Sequence, residues 1–531
     1  MSVLHAYNLS YQFSNGDMLF NNLSCTLSHQ RTALVGDNGV GKSILGKLLA
    51  KQLEPSLGHV ELHGQVAMFS QEPQQLVNSN ITIAQFLGYE KVFAALEAIA
   101  QGDYEQTLFD QVADHWRLPE LLSAQLANLG LADNPHLPCC MLSGGQLARL
   151  RLWQLFNSSA NVLILDEPSN HLDSNGRAWL LEQLNSFSGY ALLISHDQQL
   201  LQHVTHIWEL SNLGLKHYGG NIQHYLLQKD IEQQAVHQQL HELKRQQVQL
   251  KLQAQKDKEK AQQRASQGKK LRVQGSQAKV LLNSQKDKAG ANLASKQKNQ
   301  LQRNQKLLSK TEQLQLKSQQ HNAIEFYFNE RQEEAIAKKT LVSLLDLQLP
   351  FGNASAINLQ VKAGQKWHIK GNNGCGKSTL FKVLLNNLRP ISGEVKVNTT
   401  LSYVDQHFSQ LPSQLSVAQV VEQNCPTICK SDCYTLLAGI GLKHKKVEQP
   451  IASLSGGEKM KLTLLCASQQ RPAPLLLLDE PDNHLDLRSR QQLAKALYDY
   501  KGSFLLVSHD AYFVEQISVT HTLTMQSKNA V

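Results

Sequence analysis

Short, wholly apolar runs recur in the two halves of this chain and predict buried strands. VLIL precedes Asp166 and LLLL precedes Asp479, and continuous apolar runs of this length are typical of parallel strands covered on both faces. A second apolar run, ALLIS or FLLVS, follows each of them along the chain. Earlier in each half, an apolar strand turns through glycines into a segment with helical character. The pattern predicts two doubly wound α/β domains, each with a helical insert.

The segment between the two halves has a different composition. Residues 229–320 contain 23 glutamines, no proline and mostly helix-forming residues. A weak heptad-like stripe predicts two long helices folded as a hairpin, and its residues are Val236, Leu240 and Leu243 in one arm and Leu301, Leu308 and Leu314 to Leu316 in the other. The segment 264–290 between the arms contains Gly268, Gly275 and Gly290 and is predicted to be a break. A solvated, unfolded linker is the alternative. We therefore expect domains at 1–228 and 324–531, joined by a basic linker at 229–323.

Charge separates this segment further from the rest of the chain. Residues 229–320 carry 20 Lys and Arg against 7 Asp and Glu, whereas the whole 531-residue chain has a net charge of only +8. The excess positive charge therefore lies in the connector, and the two halves together are acidic. No apolar run reaches the roughly 18 to 20 residues that cross a bilayer, and the first residues do not resemble a secretory signal. We expect a cytoplasmic protein without a membrane partner.

Two glycine-rich loops carry the first chemical signal. The first reads GDNGVGKS and the second GNNGCGKS, each between an apolar strand and a helix. Glycines allow backbone N–H groups to close around phosphates, the lysine contributes a positive charge, and the serine hydroxyl ligates magnesium. The residues predicted to bind nucleotide here are Gly36, Asp37, Asn38, Gly39, Val40, Gly41, Lys42 and Ser43, and Gly371, Asn372, Asn373, Gly374, Cys375, Gly376, Lys377 and Ser378.

A pair of acidic residues follows each of the apolar runs VLIL and LLLL. Asp166 and Asp479 are predicted to hold the magnesium ion together with Ser43 and Ser378. The adjacent Glu167 and Glu480 are suited to orient or deprotonate an attacking water. The pattern predicts an ATPase with ATP and Mg²⁺ as cofactors.

A third motif distinguishes this kind of ATPase from others. LSGGQ begins at Leu142 and LSGGE at Leu454, and in each a short turn precedes a helix. Backbone donors and the positive helix end can face a γ-phosphate. The predicted contacts are Ser143, Gly144 and Gly145 in the first copy and Ser455, Gly456 and Gly457 in the second.

Together these motifs resemble the ATP-binding cassette proteins. The resemblance implies that the signature of each copy closes over the phosphate loop of the other, so that two ATP molecules lie in a head-to-tail sandwich within one monomer. It also implies that His196 and His509, which follow the apolar strands ALLIS and FLLVS, contact the γ-phosphate. Gln71 and Gln406 would complete the magnesium and water shell, as ligands of the metal and the nucleotide.

One branch, the ABC-F proteins, is especially similar. The similarity lies in NHLD at Asn170 and at Asn483, the charged linker, and YGGNIQHY at Tyr218–Tyr225 leading into a helix. It implies action on the ribosome, with the linker approaching rRNA and the P-site tRNA, either as a general translation factor or as an antibiotic-resistance protein that protects the ribosome. A transporter subunit and an ATP-dependent DNA-binding protein are the alternatives, since a basic hairpin attracts any phosphate backbone.

The two copies also differ. Ile44 stands where the second copy has Thr379, which predicts weaker nucleotide binding at the first site. Asp482 adds negative charge near the second site. The interval from Gln71 to Leu142 is about 23 residues longer than that from Gln406 to Leu454, which predicts either a longer helical subdomain or a projecting arm in the first copy.

Overall fold

The computed structural model describes most of the chain: residues 3–70, 80–170, 172–273, 298, 301–311, 314, 339–353, 355–405, 411–425, 429–442, 445–454, 456–469, 474–483 and 485–526. The chain divides into two compact units. One comprises Met1–Gln223 with Ile324–Val531, and the other comprises His224–Ala323. No helix within the described ranges is long and apolar enough to span a lipid bilayer.

The first half of the larger unit is built on two sheets. Its strands are β1 (Leu4–Gln12), β2 (Met18–Leu27), β3 (Arg31–Val35), β4 (Leu57–Leu62), β5 (Val66–Phe69), β6 (Val162–Asp166), β7 (Tyr190–Ile194), β8 (His206–Ser211) and β9 (Gly214–Gly219). A six-stranded sheet has the order β5-β6-β7-β3-β8-β9 and is parallel except between β8 and β9. An antiparallel sheet has the order β2-β1-β4.

The second half repeats this plan. Its strands are β10 (Thr340–Gln348), β11 (Ile357–Lys362), β12 (Lys366–Lys370), β13 (Ser392–Val397), β14 (Leu401–Val404), β15 (Leu475–Asp479), β16 (Phe504–Val507) and β17 (His521–Thr524). The parallel sheet has the order β14-β15-β16-β12-β17, and the antiparallel sheet the order β11-β10-β13. Because the carboxyl ends of parallel strands share an edge, the loops after β12, β15 and β16 are brought together there.

Helices cover both faces of the parallel sheets. In the first half they are α1 (Lys42–Leu49), α2 (Ile83–Phe86), α3 (Glu90–Ala100), α4 (Gln106–Val112), α5 (Leu118–Asn128), α6 (Gly144–Phe156), α7 (Ser174–Ser186) and α8 (Gln198–Gln202), followed by α9 (Ile222–Val273). In the second half they are α10 (Lys377–Leu384), α11 (Val417–Asn424), α12 (Lys430–Gly439), α13 (Lys445–Glu448), α14 (Gly456–Gln469), α15 (Leu487–Asp499) and α16 (Ala511–Ile517).

The predicted doubly wound α/β architecture is confirmed. Every residue of β6 and of β15 is buried, as their unbroken apolar sequences predict. Leu45 on α1 packs into the same buried cluster as Ile164 on β6, and Phe381 on α10 joins Leu477 on β15 in the corresponding cluster. Each cluster fixes the helix after the glycine-rich loop against the second strand of its sheet, β6 or β15.

The additional residues of the first half lie between α2 and α5. In each half, a β-bridge marks the beginning and end of the helical subdomain, Thr82 with Pro138 and Ser416 with Pro450. Within this bracket α3 and α4 occupy the first half, whereas α11 leads directly to α12 in the second. The insertion is therefore a longer helical subdomain, which is the first of the two interpretations of the sequence.

The smaller unit is helical where it is described. α9 has 52 residues, or about 78 Å at the rise of an α-helix. Residues 301–311 form a second helical segment, and Gln247 Nε2 donates to Thr311 Oγ1 at 3.1 Å. The predicted helical hairpin thus has two adjacent arms.

Two details of the linker prediction are wrong. The predicted break at 264–290 begins too early, because α9 continues through Gly268 to Val273. In the apolar stripe, Leu240 of the first arm is buried as predicted, but Leu301 and Leu308 of the second arm are exposed, and Leu307 lines the cleft between the arms instead. Polar residues such as Thr311, which is 7% exposed, fill the seam in their place. Gly275, Gly290 and Leu316 lie outside the described residues.

Candidate functional site

Both glycine-rich loops adopt the same backbone path. Gly41 and Gly376 have φ values of 94° and 93° and precede α1 and α10. This left-handed conformation is favourable only for glycine, so the sequence turns into the helix at the predicted position. A Cβ on Gly376 would also lie 2.8 Å from the carbonyl oxygen of Phe351, which excludes larger residues there.

The two lysines of these loops are buried and held by the loop itself. Lys42 Nζ donates to the carbonyl oxygens of Gly36 and Asp37 at 2.8 and 2.9 Å. Lys377 Nζ donates to those of Gly371 and Asn372 at 2.8 and 3.1 Å. Burial lowers the pKa of Lys42, while Glu167 and nearby aspartates oppose this shift. Each ammonium group therefore lies at the mouth of its loop.

The remaining loop residues divide between surface and core. Asp37, Asn38, Gly39, Asn372, Asn373 and Gly374 stand at the exposed or half-exposed turn, whereas Cys375 is fully buried and Val40 packs partly against the first core. Burial raises the pKa of the Cys375 thiol, so this residue fills space and stays protonated. The loop sequence thus combines an exposed turn with an apolar anchor.

The serine and aspartate predicted to hold magnesium meet in both halves. The Ser43 side chain hydrogen bonds to Asp166, and the Ser378 side chain hydrogen bonds to Asp479. Burial raises the pKa of both aspartates, and these hydrogen bonds oppose the rise. Among the described residues, Asp166 Oδ1 has no hydrogen-bond partner although it is buried.

Glu167 and Glu480 occupy strained backbone positions. Their φ values are 48° and 51°, a region that residues with side chains adopt rarely. Glu167 N donates to Ile194 O at 2.7 Å, and Glu480 N donates to Val507 O at 2.9 Å, so each strained residue is fixed by the neighbouring strand. Burial raises the pKa of Glu167 to about 7 and that of Glu480 to about 6.

A histidine faces each of these glutamates. His196 Nε2 lies 3.7 Å from Glu167 Oε1, and His509 Nε2 lies 3.7 Å from Glu480 Oε1. Burial lowers the pKa of His196 well below its ordinary value and, with the nearby Lys377, lowers that of His509 to about 3. Both imidazoles are neutral at pH 7 and can donate one hydrogen bond each.

The two halves of the larger unit contact each other through matching residues. Asn38 N, in the first glycine-rich loop, donates to Asp486 Oδ2 at 3.4 Å. In the mirror arrangement, the backbone N–H of Asn373 donates to the carboxylate of Asp173. Asp173 and Asp486 are the last residues of the two NHLD motifs and also accept hydrogen bonds at the starts of α7 and α15. Each phosphate loop is thus bound by the opposite half.

The first glycine-rich loop opens into a cavity of about 380 Å³. Its lining from the first half includes the predicted Lys42, Ser43, Asp166, Glu167 and His196, together with Ile44 and Asn170, and its lining from the second half includes Leu485 and Arg490. The sequence analysis did not single out Arg490 or its counterpart Arg177. A signal was present, since an arginine stands four residues after the NHLD aspartate in both copies.

The signature residues begin the expected helices. Ser143 Oγ accepts a hydrogen bond from Gln146 N at 3.3 Å, and Gly144 and Gly145 are the first residues of α6. Gly456 and Gly457 likewise begin α14. Lys461 on α14 is close enough to Asp37 for the two charges to interact, which places the second signature helix near the first phosphate loop. Gln71, Gln406 and Ser455 lie outside the described residues.

Comparison with known proteins agrees with this geometry. The family described as ABC transporter matches residues 20–170 and 354–483. Over all of this chain and 81% of the relative, it is 30% identical to the putative ATP-binding protein YdiF of Bacillus subtilis. It is 29% identical to the ATP-binding protein Uup of Escherichia coli K12, over 97% of this chain and 79% of that protein.

A solved structure has the same fold. An archaeal ribosome recycling factor, aABCE1, superposes with a TM-score of 0.53 over 97% of this chain and 87% of its own, at 18% identity. The two family matches, the relatives that align over nearly all of this chain and the paired sites lead to one assignment. The chain belongs to the ATP-binding cassette family and, within it, to the ABC-F group of twin-cassette ATPases.

Proposed function

We propose that this protein binds and hydrolyses two ATP molecules at composite sites formed head to tail by its own two cassettes, and that it acts on the ribosome. The observation that carries the first part is reciprocal contact: Asp486 binds the loop of Asn38, and Asp173 binds the loop of Asn373. Such an arrangement completes both sites within one chain, which supports a monomer.

The residues around Asp166 and Asp479 fit a magnesium ion. Carboxylate and hydroxyl oxygens are the ligands that Mg²⁺ prefers, and Ser43 already lies beside Asp166. The buried Asp166 Oδ1, which has no hydrogen-bond partner among the described residues, is an oxygen available for the ion or its water. Ser378 and Asp479 would hold the ion in the second cassette, with Gln71 and Gln406 as further ligands. The ion would neutralise charge on the β- and γ-phosphates.

Each remaining side chain has a role in hydrolysis that follows from its position. Lys42 and Lys377, whose ammonium groups donate to carbonyl oxygens of the glycine-rich loops, would bind the phosphates by charge. Glu167 and Glu480 would orient the attacking water and accept its proton, since a base with a pKa near the working pH is most effective. The neutral His196 and His509 would donate a hydrogen bond to a γ-phosphate oxygen.

The ribosomal part of the proposal rests on membership of the ABC-F group and on the linker. The described arms enclose a cleft of about 500 Å³ lined by Arg303, Lys306 and Lys310. Cationic side chains along two helices would contact an RNA backbone. We propose the divisions 1–228, 229–323 and 324–531 as cassette, RNA-contacting linker and cassette, and a cytoplasmic location, where ribosomes act. Both a general translation factor and a protein that protects ribosomes from antibiotics remain compatible with this reading.

Cosedimentation with ribosomes tests the proposal. A Glu167→Gln/Glu480→Gln variant, which should bind ATP without hydrolysing it, is expected to remain on ribosomes more than the unaltered protein does. Binding should weaken steeply as salt rises, because each neutralised phosphate releases a counterion. Recovery of the variant on DNA and not on ribosomes would support the DNA-binding alternative.

Charge reversal locates the RNA contact. We expect Lys269→Glu/Lys270→Glu/Arg272→Glu, near the end of α9, to lower both ribosome affinity and the salt slope while basal ATP hydrolysis is unchanged. Lys501→Glu, on an exposed loop of the second cassette, is the matched control. If only Lys91→Glu/Arg117→Glu on the helical insertion weakens binding, the insertion and not the linker contacts RNA.

A further inference from the structure

Two buried arginines occupy equivalent positions in the two cassettes. Arg177 lies in the first turn of α7 and Arg490 in the first turn of α15, each four residues after the NHLD aspartate that caps its helix. They are only 7% and 9% exposed. Arginine is almost never this buried unless it is paired, so its recurrence at both positions requires an explanation.

Arg490 joins three loops. Its Nη1 donates to the carbonyl oxygen of His196 in the opposite cassette at 3.0 Å and to Asp510 Oδ2 in its own cassette at 2.6 Å. Its Nη2 donates to the carbonyl oxygen of Asp482 at 3.2 Å. The same side chain also lines the cavity above Lys42. The segments 195–197 and 508–510, which carry His196 and His509, are called the histidine loops below. One guanidinium group therefore contacts the histidine loops of both cassettes.

Arg177 makes the corresponding contacts to the two histidine loops. Its Nη1 donates to the carbonyl oxygen of His509 in the opposite cassette at 3.2 Å and lies 3.3 Å from Asp197 Oδ2 in its own cassette. Its Nε donates to Leu172 O at 3.3 Å. Each histidine loop is consequently held by two arginines, one from each cassette.

We propose that Arg177 and Arg490 are positioning residues that act in trans: each fixes the backbone of the γ-phosphate histidine of the opposite cassette, and the pair couples the two ATP sites. The inference rests on the proposed function, in which His196 and His509 serve separate sites. Neither arginine needs to touch the nucleotide to act in this way.

The rigid helices α7 and α15 transmit this coupling, because each carries two contacts to the opposite cassette. From the second cassette, α15 contacts the first site at two points, Asp486 at the loop of Asn38 and Arg490 at the loop of His196. These two residues are one helical turn apart on a rigid element. Any movement that separates the cassettes withdraws both contacts at once, and α7 does the same at the second site.

The cost of this cluster supports a role beyond packing. Asp197, Asp482 and Asp510 are each less than 5% exposed, so burying them with two arginines requires the removal of five charges from water. Well-packed apolar residues often stabilise such a position as well as an ion pair does, so stability alone does not account for it. Hydrogen bonds to backbone carbonyls, in contrast, require a donor with fixed geometry.

Single-turnover hydrolysis of bound ATP tests the inference at each site separately. In a Glu480→Gln background, where only the first site hydrolyses, Arg490→Met should lower the rate about tenfold to 100-fold, because small misplacements of a reacting group have effects of this size. Affinity for ATP should be nearly unchanged. In a Glu167→Gln background, where only the second site hydrolyses, Arg177→Met should lower the rate more than Arg490→Met does.

Conservative and control variants separate positioning from folding. Arg490→Lys keeps a charged donor and should restore part of the rate at the first site. Arg31→Met removes a half-buried arginine that donates to Leu184 O and Gly189 O within one cassette, so it should lower thermal stability without changing the ratio of the two rates. Equal losses at both sites from either arginine variant, or losses confined to the cassette that carries it, would overturn the inference.

Failure of the proposed function would look different. If the Glu167→Gln/Glu480→Gln variant hydrolysed ATP at the normal rate, the assigned catalytic residues would be wrong whatever the arginines do. If that variant is inactive but each arginine substitution lowers the rates at both sites equally, the proposed function stands and only the inference about Arg177 and Arg490 is wrong.

Discussion

The two nucleotide sites share a backbone and differ in the side chains beside it. Both begin with a left-handed glycine and place a strained glutamate 3.7 Å from a neutral histidine. On the strand beside β15, however, the second cassette has Tyr403, whose hydroxyl donates to Asp479 Oδ2 at 3.2 Å, whereas the first cassette has Met68 at the equivalent position of the strand beside β6. Duplication thus preserved the parts that the loop conformation requires and left the flanking positions free to diverge.

The second site also has side-chain hydrogen bonds between its own residues. Lys377 Nζ reaches His509 Nε2 at 3.1 Å, and Asn483 Nδ2 donates to Glu480 Oε2 at 2.5 Å. Asp482, which the sequence marked as extra negative charge, is buried, and its pKa is raised by burial although Arg490 opposes the shift. These contacts indicate that the two sites respond differently to the same substitution.

The largest expected effect compares the two bases directly. Glu167→Gln and Glu480→Gln together should lower ATP turnover about 100-fold to 10,000-fold, because a positioned general base contributes this much. The single variants, measured by single-turnover hydrolysis, give the share of each site. Normal turnover in the double variant would contradict the assignment of both residues.

Affinity for ATP should depend on whether the residue after the loop serine, Ile44 or Thr379, carries a hydroxyl group. We expect Ile44→Thr to strengthen ATP binding at the first site and Thr379→Ile to weaken it at the second, each by at most about 1.5 to 3 kcal/mol, the size of a hydrogen bond to a charged group. Affinity is measured with the other site disabled by Lys377→Ala or Lys42→Ala. Both residues are β-branched, so helix propensity is matched. Equal affinities of the two unaltered sites would contradict the asymmetry.

Tyr403 should contribute to the stability of the second cassette. Removing its hydroxyl by Tyr403→Phe leaves Asp479 with one hydrogen bond fewer, and we expect a loss of about 1.5 kcal/mol in the free energy of unfolding. Denaturant titration of the full chain measures this. Tyr104→Phe is the control, since Tyr104 is 73% exposed. Identical unfolding curves for the two variants would show that the hydroxyl of Tyr403 is dispensable.

The smallest effect concerns the pH dependence of stability and two histidines, one on β8 and one on β17. His206 stacks on His29 with ring centroids 3.2 Å apart, whereas His521, at the corresponding strand, stacks on Trp367. Burial, with His29 and His217, lowers the pKa of His206 below 6.5. The unfolded chain therefore binds a proton that the folded chain resists, and stability should fall slightly as pH drops below about 6.5. His206→Gln should reduce this slope in thermal unfolding, and His521→Gln should not.

Much of the fold followed from local sequence. Unbroken apolar runs predicted β6 and β15, and glycines before Lys42 and Lys377 predicted the turns into α1 and α10, since both signals act over a few residues. Helix formers predicted the linker arms. The extent of α9 was underestimated because a single glycine, Gly268, lowers helix stability by only about 1 kcal/mol and does not end a helix.

The sequence by itself determined the family and predicted the residues of the two candidate sites, because phosphate binding and magnesium ligation depend on residue types at fixed short spacing. Tertiary structure decided the rest. Arg177 and Arg490 recur at the same position in both copies of the sequence, but their partners are 332 and 294 residues away. Only the contact between the two cassettes brings each guanidinium group to the histidine loop of the opposite cassette. Contacts of such range depend on how folded surfaces fit together, and no local pattern encodes that fit.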